Sequence, residues 1–435
     1  MRHGLRETPK NTRHVRCSTK GMAYRNSRRG LSRPLVALAV AAAATCASPA
    51  YATFPSLDQA VALARARAPS VVDARGAAHV AHSLEAGARV APFGNPYLEV
   101  VADRGRFTQD VQVLSSLYLP VEINGQRGAR IAEWEQLVGW RTASLAEAQA
   151  RAVADTADAY GGVLVGSARL AQAERAATEA TAEADVFRAR LSQGDATSYD
   201  LSIAESEASR WAQARLGAQI ALGQAHARLA QLIGERPLDP PPAVAAPPTT
   251  RAPMADEVAP RWLNESPLLR SLSTEAQYWS GAADRARAER SSPLSVVVTG
   301  GRGDLGEARL GAGLAWSFPV FRRNQGEIAR AEAERVRVDA TTSSLRAALE
   351  HRLRSARETY RAAIAGVDEI ERTGLPAAER TVDAAIATHR AGKGEITRVL
   401  IARRDLAAAR ARRLDLVELA WRAFADLAAM KGDLP

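Results

Sequence analysis

The stretch FPVFRRNQGEIARAEAE, residues 318 to 334, begins in period-two alternation, passes through Pro319-Val320 and becomes a charged, alanine-rich helix. The same change occurs in LPVEINGQRGARIAEWE, residues 119 to 135, through Pro120-Val121. Other landmarks recur at almost the same offset: Pro69 with Pro267, Arg104-Gly105 with Arg302-Gly303, and Gly194-Asp195 with Gly394-Glu395, at separations of 198, 198 and 200 residues. So constant an offset over most of the chain predicts an internal duplication. The repeats are expected over residues 53–235 and 259–435. The proline-rich segment 236–258 joins them as an extended crossing, because clustered prolines exclude helix and sheet interior.

The sequence pI near 10.1 invites a nucleic-acid reading, but the charge is in the wrong place for it. Residues 1 to 34 hold ten Lys and Arg against the single acid Glu7, so the rest of the chain is nearly neutral. An apolar run of small residues follows and closes on Ala50-Tyr51-Ala52, the pattern of a secretory signal over residues 1–52 with cleavage after Ala52. Met22 is a candidate start within it, and SRRGLSR (27–33) loosely matches a twin-arginine signal. In an alternative reading Cys46 is lipidated, although Thr45 and Ala43 fit a lipobox poorly. Cys17 and Cys46 both lie in this segment, so cleavage after Ala52 leaves no thiol chemistry. Beyond Ala52 no apolar run reaches 18 residues, and any membrane span must be made of strands.

Each half is expected to begin with one helix, SLDQ…GARV or DEVA…RAER, followed by two strands. Residues 121 to 236 contain no proline and are rich in Ala, Arg, Glu and Leu. A helix from about 126 to 191 would be roughly 100 Å long, far beyond globular proportions. It should reverse at RLSQGDATSYDL, where Gly194 ends one helix and Thr197 or Ser198 caps the next. The second reversal is expected at HRAGKGEITRVL, with Gly392, Gly394 and Thr397, and Pro376 should kink the helix before it. Leu414, Val417, Trp421, Phe424 and Ala428 keep the three-and-four spacing of a helical seam. In ARLGAGLAWSFPV, Leu310, Ala312, Leu314, Trp316 and Phe318 face one way and small or polar residues the other. Val111, Val113, Leu117 and Leu119 do the same in the first half, where Leu114 breaks the pattern. The strand lengths suit a tilted membrane strand, and Tyr118 and Trp316 are candidates for an interfacial aromatic belt.

Four strands cannot close a barrel, and an open edge is not tolerated in lipid. Two copies would give eight strands with a filled interior, whereas three give twelve and room for a channel. A trimer is therefore the smallest conducting assembly, with the long helices leaving the barrel on one side.

This order of elements resembles the TolC family of outer-membrane efflux ducts over residues 53 to 435. The two Pro-Val transitions carry the resemblance, with the tips GDATSYDL and GEITRVL. The wording RNQGEIARA and GQRGARIAE is most similar to the CzcC-like heavy-metal branch. The resemblance implies a mainly α fold with four strands and two long helical hairpins per protomer. Three protomers would form a 12-stranded outer-membrane barrel continued by a periplasmic α-helical barrel. It also implies docking through Gly194, Asp195, Asp200, Gly392, Gly394 and Glu395 onto a periplasmic adaptor and an inner-membrane RND pump. Pro120, Val121, Pro319 and Val320 then mark the passage out of the lipid. Family members often narrow the periplasmic entrance with aspartates after the second tip; Arg398 and Ile401 stand there in this chain, and Asp200 follows the first tip. The alternatives are a duct for type I protein secretion and a periplasmic adaptor, for which one hairpin flanked by soluble β domains is expected.

Other motifs carry less. Gly301, Gly303 and Gly306 match G-x-G-x-x-G, but the residues after them alternate in period two, so a hairpin turn is expected rather than a dinucleotide site. His79 and His82 are spaced for a shared metal without a third ligand, and exposed polar positions explain them as well. No nucleophile and base cluster in sequence, so neither enzyme activity nor a cofactor is expected, and no nucleic-acid partner.

Overall fold

The computed structural model describes residues 54–104, 111–235, 241, 245–249, 259–303, 305–391 and 393–435. The expected signal segment with Cys46 and Met22, the tip residue Gly392 and most of the linker lie outside these residues.

The first half opens with three helices rather than one: α1 (Leu57–Arg67), α2 (Pro69–Ser83) and α3 (Glu85–Ala88). Ser56 starts α1 through a capping box with Gln59. The break at Ala68 follows from Pro69, whose ring drives the preceding residue to extended backbone, here ψ 134°. The second half divides in the same way, into α6 (Ala259–Asn264) and α7 (Pro267–Ala288), with Pro267 opening α7. Proline at the first turn of a helix lacks only an N–H that would be unpaired anyway.

The strands β1 (Tyr97–Arg104), β2 (Val111–Val121), β3 (Leu294–Arg302) and β4 (Ala308–Trp316) form one antiparallel sheet in sequence order. Its register sorts the side chains by face. Leu98, Leu117, Val298 and Ala312 make one cross-strand row, and Leu119, Val296 and Leu314 lie in a parallel row on the same face. The intervening rows carry Glu99, Ser116 and Thr299, and Asp103 and Gln112. The Ser116 and Thr299 hydroxyls meet at 3.1 Å, and Tyr118 donates to Glu99 at 2.9 Å. One face is therefore mostly apolar from β1 to β4, with Arg104 and Arg302 at its turn end, while the other is mostly polar. Tyr118 stacks on Tyr97 on the polar face, so of the two belt candidates only Trp316 lies on the apolar one.

The two Pro-Val transitions differ. Pro120 and Val121 are the last residues of β2, held by Gly94 N–H donating to Pro120 O and Glu122 N–H to Pro92 O, both at 2.8 Å. The alternation in the second half does not extend β4 through Pro319: the strand stops at Trp316, and Val320 N–H turns back onto Phe318 O at 2.9 Å. Proline can give no ladder hydrogen bond, and this second site lacks the flanking Pro92–Gly94 segment that replaces one in the first.

Beyond the sheet run α4 (Gln126–Gln193) and α5 (Ser198–Ile233), and in the second half α8 (Gln325–Glu369), α9 (Leu375–Arg390) and α10 (Ile396–Lys431). The 68 residues of α4 span about 100 Å at ~1.5 Å per residue. No helix among the described residues is long and apolar enough to cross a membrane. The main core lies along α10, where Leu414, Val417, Trp421, Phe424 and Ala428 are all buried against α4 and α8. Alanines supply much of the facing surface, which lets the axes approach closely. At Gly161 a Cβ would stand 2.3 Å from Trp421 Cγ. The linker residues 245–249 are held against this core: Trp421 Nε1 donates to Ala246 O at 3.0 Å and the Tyr360 hydroxyl to Pro248 O at 2.6 Å.

At Pro376 the helix continues through a local change of winding. Residues Ile370–Gly374 form a π-turn between α8 and α9. Proline cannot donate to the carbonyl four residues back and its ring crowds that carbonyl; a widened turn removes both conflicts.

Candidate functional site

The tip of the first hairpin is closed by Gly194 at φ 81°, a left-handed conformation that favours glycine. Gly194 N–H and Asp195 N–H return to the carbonyls of Leu191 and Arg190 at 3.1 and 2.9 Å, the closure of a Schellman turn. Thr197 then caps α5. Its side chain accepts from Asp200 N–H at 3.2 Å, while the Asp200 carboxylate accepts from Thr197 N–H and the Thr197 hydroxyl at 3.1 and 2.7 Å. These bonds, the hydroxyl's first, hold the Asp200 carboxyl below its ordinary value. The residue anticipated at an entrance thus also starts a helix.

The second tip is built differently. Gly394, unlike Gly194, has no left-handed backbone. Its constraint is close approach: a Cβ there would lie 3.1 Å from Thr388 Cγ2, and His389 Nδ1 stands 2.9 Å from Gly394 O. Glu395 is the N-cap of α10, without a side-chain cap; the Thr397 hydroxyl bonds Glu395 Oε2 at 3.1 Å. Asp195, Glu395, Arg398 and Ile401 are exposed. The two tips come together, because Ile396 packs on the cluster of Ala184, Phe187 and Ala204 from the first hairpin.

Behind the tips lies a cavity of about 600 Å³ between the hairpins, lined by Glu183, Glu207, Trp211, Leu375, Val382 and Arg403 among others. Arg404 joins Glu207 at 2.6 Å and Arg403 joins Glu183 at 2.5 Å, so α10 is tied to α5 and to α4. Arg210 and Trp211 also donate to Glu207. Burial would raise the Glu207 carboxyl, but the Arg404 hydrogen bond and the charges of Arg210 and Arg404 bring it below its ordinary value. For Glu183 burial wins over the Arg403 charge and raises it. Sequence reasoning missed this network. A signal existed: Glu207 and Arg404 lie 197 positions apart, close to the offset of the duplication, so near-equivalent positions of the two halves meet.

Gly301, Gly303 and Gly306 lie in and beside the β3–β4 turn, where Gly303 N–H donates to Glu307 O at 2.9 Å and no helix opens. His79 and His82 are exposed on α2, and no group of three His, Cys, Asp or Glu side chains among the described residues is placed to hold a metal ion.

No family model matches the chain. It is 26% identical over 387 residues to the cobalt-zinc-cadmium resistance protein CzcC of Cupriavidus metallidurans, covering 85% of this chain and 88% of that protein. The outer-membrane channel OprN superposes with a TM-score of 0.73 at 17% identity, covering 88% of this chain and 91% of its own. The CmeC outer-membrane channel of Campylobacter jejuni gives 0.73 at 14% identity, over 87% and 86%. By its sheet, its two helical hairpins and these superpositions, the chain has the TolC-like outer-membrane channel fold and is similar in sequence to CzcC.

Proposed function

We propose that the protein is the outer-membrane exit duct of a tripartite efflux system, acting as a homotrimer that passively conducts what an inner-membrane RND pump delivers through a periplasmic adaptor. The observation that carries this is the sheet. One face is mostly apolar across all four strands, the other is mostly polar, and both edge strands, β1 and β4, lack a partner within the described chain. Three copies close twelve strands with the polar faces lining a lumen and the apolar faces in lipid. The chain performs no catalysis in this role. Similarity to CzcC favours divalent metal ions as the conducted class.

The hairpin tips around Gly194, Asp195, Asp200, Gly394 and Glu395 lie about 100 Å along α4 from the sheet, within the reach of an adaptor. Gly392 belongs to the same proposed surface. The test is native mass spectrometry and planar-bilayer conductance of the detergent-solubilised protein, beside zinc, cobalt and cadmium sensitivity of cells lacking it. A conducting trimer with metal-sensitive deletion cells is expected; a monodisperse, non-conducting monomer overturns the proposal. Photo-crosslinkers at Asp195 and Glu395 should capture an adaptor, and capture only at sheet-proximal positions would overturn the docking assignment.

A further inference from the structure

The duplicated halves differ in charge where the chain leaves the sheet. Pro120-Val121-Glu122-Ile123-Asn124-Gly125-Gln126 corresponds to Pro319-Val320-Phe321-Arg322-Arg323-Asn324-Gln325. The backbone confirms the match: Gly125 and Asn324 are both left-handed, at φ 72° and 60°, and the next glutamine opens the long helix in each case. In the first half the cations are satisfied internally. Arg130 pairs with Glu122 at 2.7 Å and donates to Ala88 O and Val90 O, while Arg127 donates to Val90 O. In the second half Phe321 stands where Glu122 does, and two arginines follow it. The Arg323 guanidinium donates only to Pro319 O at 3.1 Å, its backbone N–H going to Gln325 Oε1, and the Arg322 side chain makes no hydrogen bond or ion pair among the described residues. Phe318, Val320 and Phe321 are 69%, 59% and 88% exposed, and Phe318 packs on Trp316, the aromatic residue of the apolar sheet face, at 4.6 Å.

We propose that Phe318, Phe321, Arg322 and Arg323 form a binding site for one anionic phospholipid of the periplasmic leaflet, the rings entering the acyl boundary and the guanidiniums holding the headgroup phosphate. This rests on the duct reading, which puts the helix-proximal end of the sheet at that leaflet. The occupant follows from charge and polarity together. Aromatic side chains are stable at the boundary between hydrocarbon and headgroups, and arginine grips phosphate bidentately. An acid of the chain, Glu122, serves as counter-anion in the first half; Phe321 takes its place in the second, and the nearest following acid, Glu327, pairs with Arg330, so the site calls for an external anion beside hydrocarbon. A phospholipid supplies both.

The test uses the full-length trimer in detergent, titrated with phosphatidylglycerol or phosphatidylcholine and read by native mass spectrometry, with bilayer conductance alongside. The wild type should retain up to three phosphatidylglycerols per trimer in preference to phosphatidylcholine. R322Q/R323Q should lose that preference, roughly thirtyfold in apparent affinity for two cations removed near an anionic surface. F318S/F321S should weaken both lipids alike, and R127Q, whose arginine is bonded to Val90 O, should leave the preference intact. All three variants should remain conducting trimers. A conducting R322Q/R323Q trimer with the wild-type preference overturns the site alone. Dissociation of F318S/F321S into monomers would show that the segment packs against a second copy and would overturn it too. A wild type that neither trimerises nor conducts overturns the duct reading and the site together.

Discussion

Arg404 on α10 donates to both carboxylate oxygens of Glu207 on α5, at 2.6 Å to Oε2 and 3.3 Å to Oε1, a bidentate pair that joins the two helical hairpins beside the Arg403–Glu183 pair. Glu207 is buried and Arg404 half-exposed, which makes the pair stronger than a surface bridge but partly screened.

Glu207→Gln should lower stability by about 1–2 kcal/mol at neutral pH, since a charged acceptor is lost while three donors remain. The Glu207 carboxyl titrates below its ordinary value of 4.5 in the folded protein, so its stabilisation is present above that pH and disappears as pH falls through the lower folded value. Thermal unfolding of the protein from pH 3 to 7 should show a steeper acid decline in the wild type than in the variant. Equal midpoints at pH 7 would show that the clasp carries no stability.

Gly161 and Gly162 are neighbours in α4 with opposite surroundings. A Cβ at Gly161 would lie 2.3 Å from Trp421 Cγ, whereas at Gly162 the nearest atom is Ala225 Cβ at 3.9 Å. Gly161→Ala should destabilise by about 1–3 kcal/mol despite better helix propensity, and Gly162→Ala should gain up to about 1 kcal/mol. Chemical denaturation of both variants checks the contrast.

The two tips should respond to different repairs. Gly194→Ala is costly by about 1–2 kcal/mol because of its left-handed backbone, and Gly194→Asn should recover much of the loss. Gly394→Ala meets the Thr388 methyl instead, so adding Thr388→Ser should rescue it while keeping the hydroxyl that donates to Ala384 O at 2.7 Å. Local hydrogen exchange at each tip reads the effect. Rescue of Gly194→Ala by Thr388→Ser would contradict this account.

Trp421→Phe with Tyr360→Phe removes both side-chain donors to Ala246 O and Pro248 O. The crossing segment should then be cut faster by limited proteolysis within 236–258, while the helical core stays intact. An unchanged cleavage rate would mean that the remaining bonds from Arg413 to Ala245 O suffice.

What was legible in the sequence was whatever repeats locally. The alternation of Leu310, Leu314 and Trp316, the seam from Leu414 to Ala428 and the Gly194 reversal each depend on neighbours within a few positions, and the structure has them. The breaks at Pro69 and Pro267 were missed because amphipathic spacing runs through them, although the restriction proline places on its predecessor was there to read. The second reversal was legible from Gly394, but not that its backbone would differ from that of Gly194, since the close approach of Thr388 is a matter of packing. Glu207 with Arg404 and Glu183 with Arg403 join residues 197 and 220 positions apart, and only tertiary packing brings such pairs together.

The π-turn at 370–374 has one more consequence, which concerns phase. Leu353, Tyr360 and Val367 are buried at steps of seven, and Leu375 and Val382 resume that step, but Val367 and Leu375 are eight apart. One surplus residue would advance an ideal helix by roughly 100° and turn α9 away from α10. The wider turn absorbs it, so Val382 is buried again. The rod therefore counts in sevens with a single leap residue. Removing one residue between Ile370 and Gly374 should leave every later heptad in register, whereas the same deletion in α8 or α9 would rotate all that follows out of the interface.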